Sequence, residues 1–280
     1  MAQLGIVVDS ITINKWETSA LQQAAEHSGV STEIVDIRKH SLDIEKKPFS
    51  FSVGLFRMAR ASSFEIYSSR YFEHLGIRMI NNSKSVELGG NKFESLIRLK
   101  EAGIPVPRTS LVYSFESASK AVAQIGTPVV LKPVIGSYGQ DVHLMKNLEM
   151  ELAYLDAVPK PFVVQEYLNT GGKDYRIFVL DGKVLATVLR QAPLGEWRTN
   201  VSTGGLVKKV DLPPDVKKMA VKAAEVLGLE IAGVDIALTK KEGFNVIEVN
   251  TMPDFRGLYS ATGINPADAI VRHALSLHGT

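Results

Sequence analysis

The sequence contains no cysteine. That excludes disulfides, zinc–thiolate centres and thiol catalysis. Charge of either sign is in short supply as an excess: 32 Lys and Arg stand against 30 Asp and Glu, a net +2. A general nucleic-acid binder would carry a pronounced basic surplus, so no nucleic-acid partner is expected. No apolar stretch reaches the length of a membrane span. The opening residues, Met1 to Asp9, show neither the charged region nor the cleavable apolar run of a signal peptide. A cytoplasmic protein without a membrane partner is the expectation. The six histidines (His27, His40, His74, His143, His273 and His278) are scattered, with no metal-ligand or triad spacing. They read as structural or exposed. Internal repeats and low-complexity tracts are also missing.

What is present is a globular composition. The 280 residues are 45% apolar and 22% charged, which suits a packed core and two or three domains. Residues 4–8, 18–27 and 32–37 read as strand, helix and strand, the start of a βαβ layer. Residues 49–64 are aromatic and basic and read as a helix with an apolar face; 65–75 read as a helix and 77–81 as a strand. A helix over 91–102 precedes Pro105 and Pro107, which keep the chain extended at the entry to a second domain. There a helix at 116–126 is followed by strands at 128–132 and 142–145 around a glycine-rich turn, a short helix at 148–155 and a strand at 162–166. Residues 174–180 and 183–190 form a hairpin about Asp181-Gly182. A polar loop over 191–205, a helix over 215–227, a second hairpin, an irregular stretch at 251–265 and a last helix from Pro266 to about Ser276 complete the chain.

The second hairpin holds the most unusual residues. Asp235 lies within Gly233-Val-Asp-Ile-Ala-Leu238, and Glu248 and Asn250 lie within Val246-Ile-Glu-Val-Asn250. Glu248 and Asn250 are two apart, so on a strand they share a side, and Asp235 on the partner strand can face them. Two carboxylates and an amide oxygen among Val and Ile need a counter-charge. A hard divalent cation such as Mg²⁺, keeping waters and binding nucleotide phosphates, supplies one. The plainer alternative is acids on the wet face of an ordinary hairpin; the apolar neighbours favour the metal.

Other residues carry weaker signals. Lys132 ends an apolar strand and calls for an anion. Gly136-Ser137-Tyr138-Gly139 can present backbone N–H groups to a phosphate. It is followed by no Gly-Lys-Ser/Thr and lacks a third glycine, so it is neither a Walker loop nor a dinucleotide fingerprint. Gln165-Glu166-Tyr167-Leu168 leaves a strand for a linker, and its backbone can meet an adenine edge. Asp174 and Arg176 alternate on one strand, and Arg190 ends its partner. These suit phosphate or carboxylate recognition and equally suit surface salt bridges. Asn200, in the polar loop, can serve a metal or a phosphate.

In this order the features resemble the ATP-grasp fold and, more narrowly, the RimK/LysX group of carboxylate–amine ligases. The specific pieces are Leu131-Lys-Pro-Val-Ile-Gly-Ser-Tyr-Gly139, Trp197-Arg-Thr-Asn200 with Gly204-Gly205, and Glu248-Val-Asn250 with Ala261-Thr-Gly-Ile264. The resemblance implies an α/β (α+β) architecture of three subdomains: a preATP-grasp α/β domain at 1–90, a small domain at 91–168 with a glycine flap and adenine hinge, and a large domain at 169–280, ATP being clamped between the last two. It implies that Lys92 and Lys132 touch ATP phosphates, that Gly136, Ser137, Tyr138 and Gly139 cover them, and that Gln165, Glu166, Tyr167 and Leu168 hold adenine. Lys173, Asp174 and Asn200 fall on the nucleotide side. Arg176, Arg190 and Lys132 serve catalysis at the reacting carboxylate and γ-phosphate. Asp235, Glu248 and Asn250 hold Mg²⁺, or Mn²⁺ in its place.

The implied reaction passes a phosphoryl group to a carboxylate, and an amine then displaces phosphate from the acyl phosphate. The amine belongs to an acidic amino acid, glutamate or 2-aminoadipate. Acceptors in the group include a small acidic carrier protein of lysine and arginine biosynthesis, a ribosomal protein C-terminus and pterin or deazaflavin coenzymes. The segment with Arg256, Gly257 and Leu258, followed by Thr262 and Gly263, is expected at the substrate, its Gly-Leu pair leaning to glutamate. A homo-oligomer, dimer or tetramer, is the family expectation. Two rival classes are a nucleotide-binding regulatory module without turnover and a kinase of the same fold.

Overall fold

A computed structural model of the chain describes residues 4–137, 139–145, 160–199 and 205–277. Three sheets organise it. The first contains β1 (Leu4–Val8), β2 (Thr32–Asp36), β3 (Val53–Arg57) and β4 (Arg78–Ile80), parallel in the order β2-β1-β3-β4. β1 and β3 are buried along their whole length, which is why both read as unbroken rather than alternating apolar runs. Phe51 lies against the sheet where Gly5 leaves room; a Cβ there would sit 2.3 Å from the ring. α1 (Trp16–His27), α2 (Ser63–His74) and α3 (Ser83–Gly90) connect these strands onward.

The expected helix over 49–64 is corrected here: the region contains strand β3, and α2 starts only at Ser63. Phe49, Phe51, Val53, Leu55 and Arg57 recur every second residue, the period of a strand. The basic residues hid that period, because Arg57 is buried although charged. Phe49 and Phe51 pack on Phe72 with ring centroids 5.0 and 6.0 Å away.

The second sheet is antiparallel, built from Thr109–Val112 (β5), Val129–Pro133 (β6), His143–Met145 (β7) and Phe162–Glu166 (β8) in the order β5-β8-β6-β7. α4 (Lys92–Glu101) leads to it, and α5 (Phe115–Ile125) opens on a capping box, Ser114 and Ser117 bonding each other's backbone. The expected helix at 148–155 lies outside the described residues.

The third sheet is β11-β10-β9-β12-β13, again antiparallel: Lys173–Leu180 (β9), Lys183–Gln191 (β10), Leu206–Lys209 (β11), Ile231–Thr239 (β12) and Gly243–Asn250 (β13). Asp181 and Gly182, with φ of 48° and 68°, close β9 onto β10 in the doubly positive turn that matches strand twist. α6 (Pro214–Val226) packs its alanines Ala220, Ala223 and Ala224 against Ile177, Val234 and Val246.

The stretch over 251–265 is also more regular than expected. It contains α7 (Arg256–Thr262), ended by Gly263 at φ 72°. Seven residues are too few to show a period. The helix is held from outside: Glu17 accepts the N–H groups of Phe255 and Arg256 at 3.0 Å, Trp16 stacks on Tyr259, and Leu258 is buried. α8 (Pro266–Ser276) then returns to pack on α1.

Candidate active site

Residues of the second and third sheets, together with the segment that follows β3 of the first, line one cavity of about 320 Å³. Its floor is set by strand register. β12 and β13 place Asp235 opposite Glu248 and Gly233 opposite Asn250. On the other side of β12, Arg176 of β9 lies opposite Asp235, and β10 sets Arg190 opposite Asp174. Opposite charges therefore face each other across two successive strand pairs, β12–β9 and β9–β10, while β12–β13 sets two acids together.

These pairs are tightly bonded. Arg190 donates from Nε and Nη2 to Asp174 at 2.7 and 2.6 Å, and its Nη2 lies 3.0 Å from Asp235 Oδ2. Arg176 donates to Asp235 from Nε and, at 2.8 Å, from Nη2. Thr199 donates its hydroxyl to Asp174. Burial alone would push Asp235 up, but Arg176 and Arg190 hold its carboxyl below the usual range. Burial acts against the charge on Arg190 too, and Asp235 and Asp174 outweigh it, so its pKa rises. The counter-charge of Asp235 is thus a pair of guanidinium groups. The arginines become recognisable as its partners only when β9 and β10 are set beside β12.

Glu248 is less committed. Among the described residues its one ion pair is with Lys92 Nζ at 3.5 Å, and Lys92 also donates to the Gly136 carbonyl at 2.8 Å. Asn250 donates Nδ2 to Asp235 Oδ2 and to the Gly233 carbonyl, both at 3.3 Å, which leaves its amide oxygen available. Lys132 is 5% exposed. Burial pulls its pKa down to about 8, with Glu248 and Asp235 opposing and Lys92 assisting. The Ser137 hydroxyl is buried with no hydrogen-bond partner among the described residues. A cationic wall, a free hydroxyl and an available carboxylate together suit a polyanion.

Among the described residues no cluster of three His, Asp or Glu side chains could hold a metal. The donors that remain, Glu248 and the Asn250 oxygen, are hard oxygen ligands and fit Mg²⁺ with waters filling its other positions. Both Asp235 oxygens are bonded to arginine.

The cavity brings together Lys92, Lys132, Gly136, Ser137, Gly139, Gln165, Glu166, Tyr167, Leu168, Lys173, Asp174, Arg176, Arg190, Asp235, Glu248 and Asn250. Tyr138 and Asn200 lie outside the described residues. Arg256, Gly257, Leu258, Thr262 and Gly263 do not line the cavity: they form α7 and its cap, and Leu258 belongs to the core with Phe178 and Val188. Residues not anticipated from sequence include Met58, Ala59, Arg60 and Ala61 after β3, and Asp254, which pairs with Lys15 at 2.6 Å. Only the strand assignment of β3 would have pointed to the first four.

The comparisons with known proteins agree with this geometry. The RimK-like ATP-grasp domain matches residues 89–274. A protein of Sulfurisphaera tokodaii named glutamate–LysW ligase ArgX is 31% identical over 277 residues, 95% of this chain and 97% of that protein. Methanosarcina acetivorans tetrahydromethanopterin:alpha-L-glutamate ligase is 29% identical, covering 98% of each. Among solved structures, a RimK domain ATP-grasp protein of Sphaerobacter thermophilus superposes with a TM-score of 0.79 at 22% identity, over 97% of this chain and 99% of that one. D-alanine–D-alanine ligase of Bacillus anthracis, complexed with ATP, superposes with a TM-score of 0.74 at 18% identity, over 99% and 97%. These two likenesses concern the fold. By the domain match and the full-length relatives, the chain belongs to the RimK-like ATP-grasp family of ligases.

Proposed function

We propose that the chain uses ATP to join glutamate, through its amine, to a carboxylate of a small acidic carrier protein of amino-acid biosynthesis, releasing ADP and phosphate. The observation that carries this reading is the convergence of Arg176, Arg190, Lys92 and Lys132 on a cavity that also presents Glu248 and Asn250. The full-length likeness to proteins named glutamate–LysW ligase supports the choice of amino acid and acceptor.

Phosphoryl transfer asks the protein mainly for positioning and charge stabilisation. Lys92 and Lys132 meet the phosphates of ATP, and the unpartnered Ser137 hydroxyl adds a donor. Gly136 and Gly139 let the backbone approach closely, while Gln165 to Leu168 receive the adenine. Arg190 and Arg176 are locked by Asp174 and Asp235, so their charge is fixed before the reaction begins and needs no reorganisation. They hold the acceptor carboxylate toward the γ-phosphate and stabilise the charge on the transferring group. The glutamate amine then displaces phosphate from the acyl phosphate. Closure of the glycine turn keeps water from that intermediate. Glu248 and Asn250 would hold Mg²⁺, with Asp235 behind them. When bound, the ion neutralises phosphate charge. No side-chain nucleophile is required.

A second acceptor class has support of its own, because the tetrahydromethanopterin ligase is related over the same span. One assay separates the readings. The protein is incubated with ATP, Mg²⁺, glutamate and either a LysW-type carrier or the pterin. ADP and phosphate release with a glutamylated carrier is the expected result. Glutamylation of the pterin alone moves the acceptor to the second class. AMP and pyrophosphate would overturn the acyl-phosphate route. A phosphorylated hydroxyl product without an amide identifies a kinase, and ATP binding with no acceptor-dependent ADP release identifies a binding module.

A further inference from the structure

The first sheet carries a feature that the ligase chemistry leaves unused. Its order β2-β1-β3-β4 reverses direction between β1 and β3. In open parallel sheets the crevice beyond the carboxyl ends of the strands at such a point is where ligands bind. Here the crevice opens onto the cavity: the residues that follow β3, Met58 to Ala61, form part of its lining. The β1 loop holds this segment in place. Buried Asp9 accepts the N–H groups of Ile11 and Thr12 at 2.9 and 2.8 Å and, with its other oxygen, the N–H of Ala59 at 2.9 Å. Thr12 donates its hydroxyl to the Arg57 carbonyl at 2.6 Å. The backbone is thus tied on the N-terminal side of Arg60, while the Arg60 side chain is exposed.

Arg60 differs from the other arginines of the cavity. Arg176, Arg190 and Arg198 are each paired with a carboxylate, respectively Asp235, Asp174 and Glu196. Arg60 donates from Nη2 to the Gln140 amide oxygen at 2.8 Å, and among the described residues no carboxylate lies in ion-pair range of it. Asp141, whose carboxyl is held low first by a bond from Lys160 and only weakly by Arg60, is already engaged by Lys160 at 2.8 Å. A guanidinium with a fixed base, no carboxylate partner among the described residues, N–H donors beyond the one given to Gln140 and a place on the cavity wall is suited to a planar carboxylate.

We propose that Arg60 is a substrate-recognition residue, binding a carboxylate of one of the two substrates that meet in the cavity. The assignment rests on the ligase reading. Glutamate carries carboxylates and so does the acidic carrier, and the test distinguishes them. Affinities are measured on the full chain, loaded with Mg²⁺ and a non-hydrolysable ATP analogue, by calorimetry with glutamate and separately with a LysW-type carrier. Arg60→Gln should weaken one of these by about 10- to 100-fold, the scale of a charge-assisted hydrogen bond. The loser names the source of the carboxylate. Arg60→Lys should recover part of the loss, since it restores charge without the fork. The affinity for the nucleotide analogue should stay within about twofold in both.

Unchanged affinity for both probes in Arg60→Gln overturns the proposal. So does an equal loss in Gln140→Ala, which would assign the effect to the Arg60–Gln140 contact. Thermal melting of each variant guards against a folding defect, and if Arg60→Gln melts early, the comparison of Arg60→Lys with wild type reads the same quantity. Wild-type protein that binds neither probe counts against the ligase reading itself. Normal wild-type binding with an unaffected variant counts against Arg60 alone.

Discussion

Asp235 and Glu248 face each other across β12 and β13, yet they are different kinds of residue. Asp235 neutralises two arginines, one of them Arg190 at 5% exposure. Removing its charge would leave the partly buried Arg176 guanidinium without its carboxylate, while Arg190 keeps Asp174; breaking a buried pair in this way costs up to about 3–5 kcal/mol. Activity and folding would then fall together. Glu248 is 29% exposed at its side chain, and among the described residues its ion pair is with Lys92, at 3.5 Å, which also donates to the Gly136 carbonyl. Glu248→Gln is therefore the clean probe. It should lower kcat by about 10²-fold or more, the scale for losing a main electrostatic stabiliser, and leave the melting temperature near wild type. Steady-state ADP release beside a thermal melt checks both halves, and near-normal turnover would refute a metal role for this carboxylate.

At the scale of the element, the hairpin β12–β13 works because Gly233 has no side chain. A Cβ there would lie 2.8 Å from Pro253 Cβ and 3.2 Å from both Cδ and Nη1 of Arg176. The Pro253 contact forces a backbone shift, and relief of the two Arg176 contacts displaces that side chain's bonds to Asp235. Gly233→Ala should cost about 1–3 kcal/mol in urea unfolding, the range for overpacking, and lower kcat as well. A stability loss with kcat intact would mean that Arg176 is not held for catalysis. Both hairpins of the third sheet were legible in the sequence because their signals are local: alternation, an Asp-Gly turn, a polar tip. The order of lysines, glycine turn, arginines and acids was legible for the same reason. Elements shaped by distant contacts were not. β3 hid behind Arg57, whose charge is answered by the Pro253 carbonyl at 3.0 Å, nearly two hundred residues on. α3 ends in Gly89-Gly90, poor helix formers, and a Cβ on Gly90 would meet Ala61 at 2.4 Å. α7 owes its place to Glu17 and Trp16, and of the residues expected at the substrate only Leu258 is buried. Arg60 reaches the cavity only through the strand order of the first sheet.

At the scale of the whole molecule, polar junctions at Asn81 and Glu230 tie the end of the first sheet to the start of β12. Asn81, 2% exposed, accepts the N–H groups of Glu230 and Ile231 at 2.8 and 2.9 Å and donates to the carbonyls of Ile231 and Thr251, both at 2.7 Å. Asn81→Ala strands buried backbone groups, each worth about 1–3 kcal/mol, and should lower unfolding free energy by several kcal/mol although the residue lies outside the cavity. A loss below about 1 kcal/mol in urea would show that water replaces the side chain. The second junction titrates. Glu230 accepts from Arg78 of β4 at 2.6 Å and lies 2.8 Å from His273 Nε2 of α8. The bond to Glu230 raises the His273 pKa above its ordinary 6.5, against burial and the Arg78 charge. Burial acts to raise Glu230, but His273 and Arg78 outweigh it and its pKa falls below 4.5. The signs follow from linkage. For His273 the folded chain holds the proton more tightly, so the stabilisation is complete below pH 6.5 and is lost as pH rises through the folded pKa. For Glu230 it is complete above pH 4.5 and is lost as pH falls through its lowered value. The pair contributes fully between those limits. Wild type should therefore lose melting temperature from pH 6 to pH 8, and His273→Gln should lose less over the same interval. The difference between the two curves isolates this junction from every other titrating group. Parallel curves would mean that the imidazole is already neutral at pH 6 and that Arg78 alone holds Glu230.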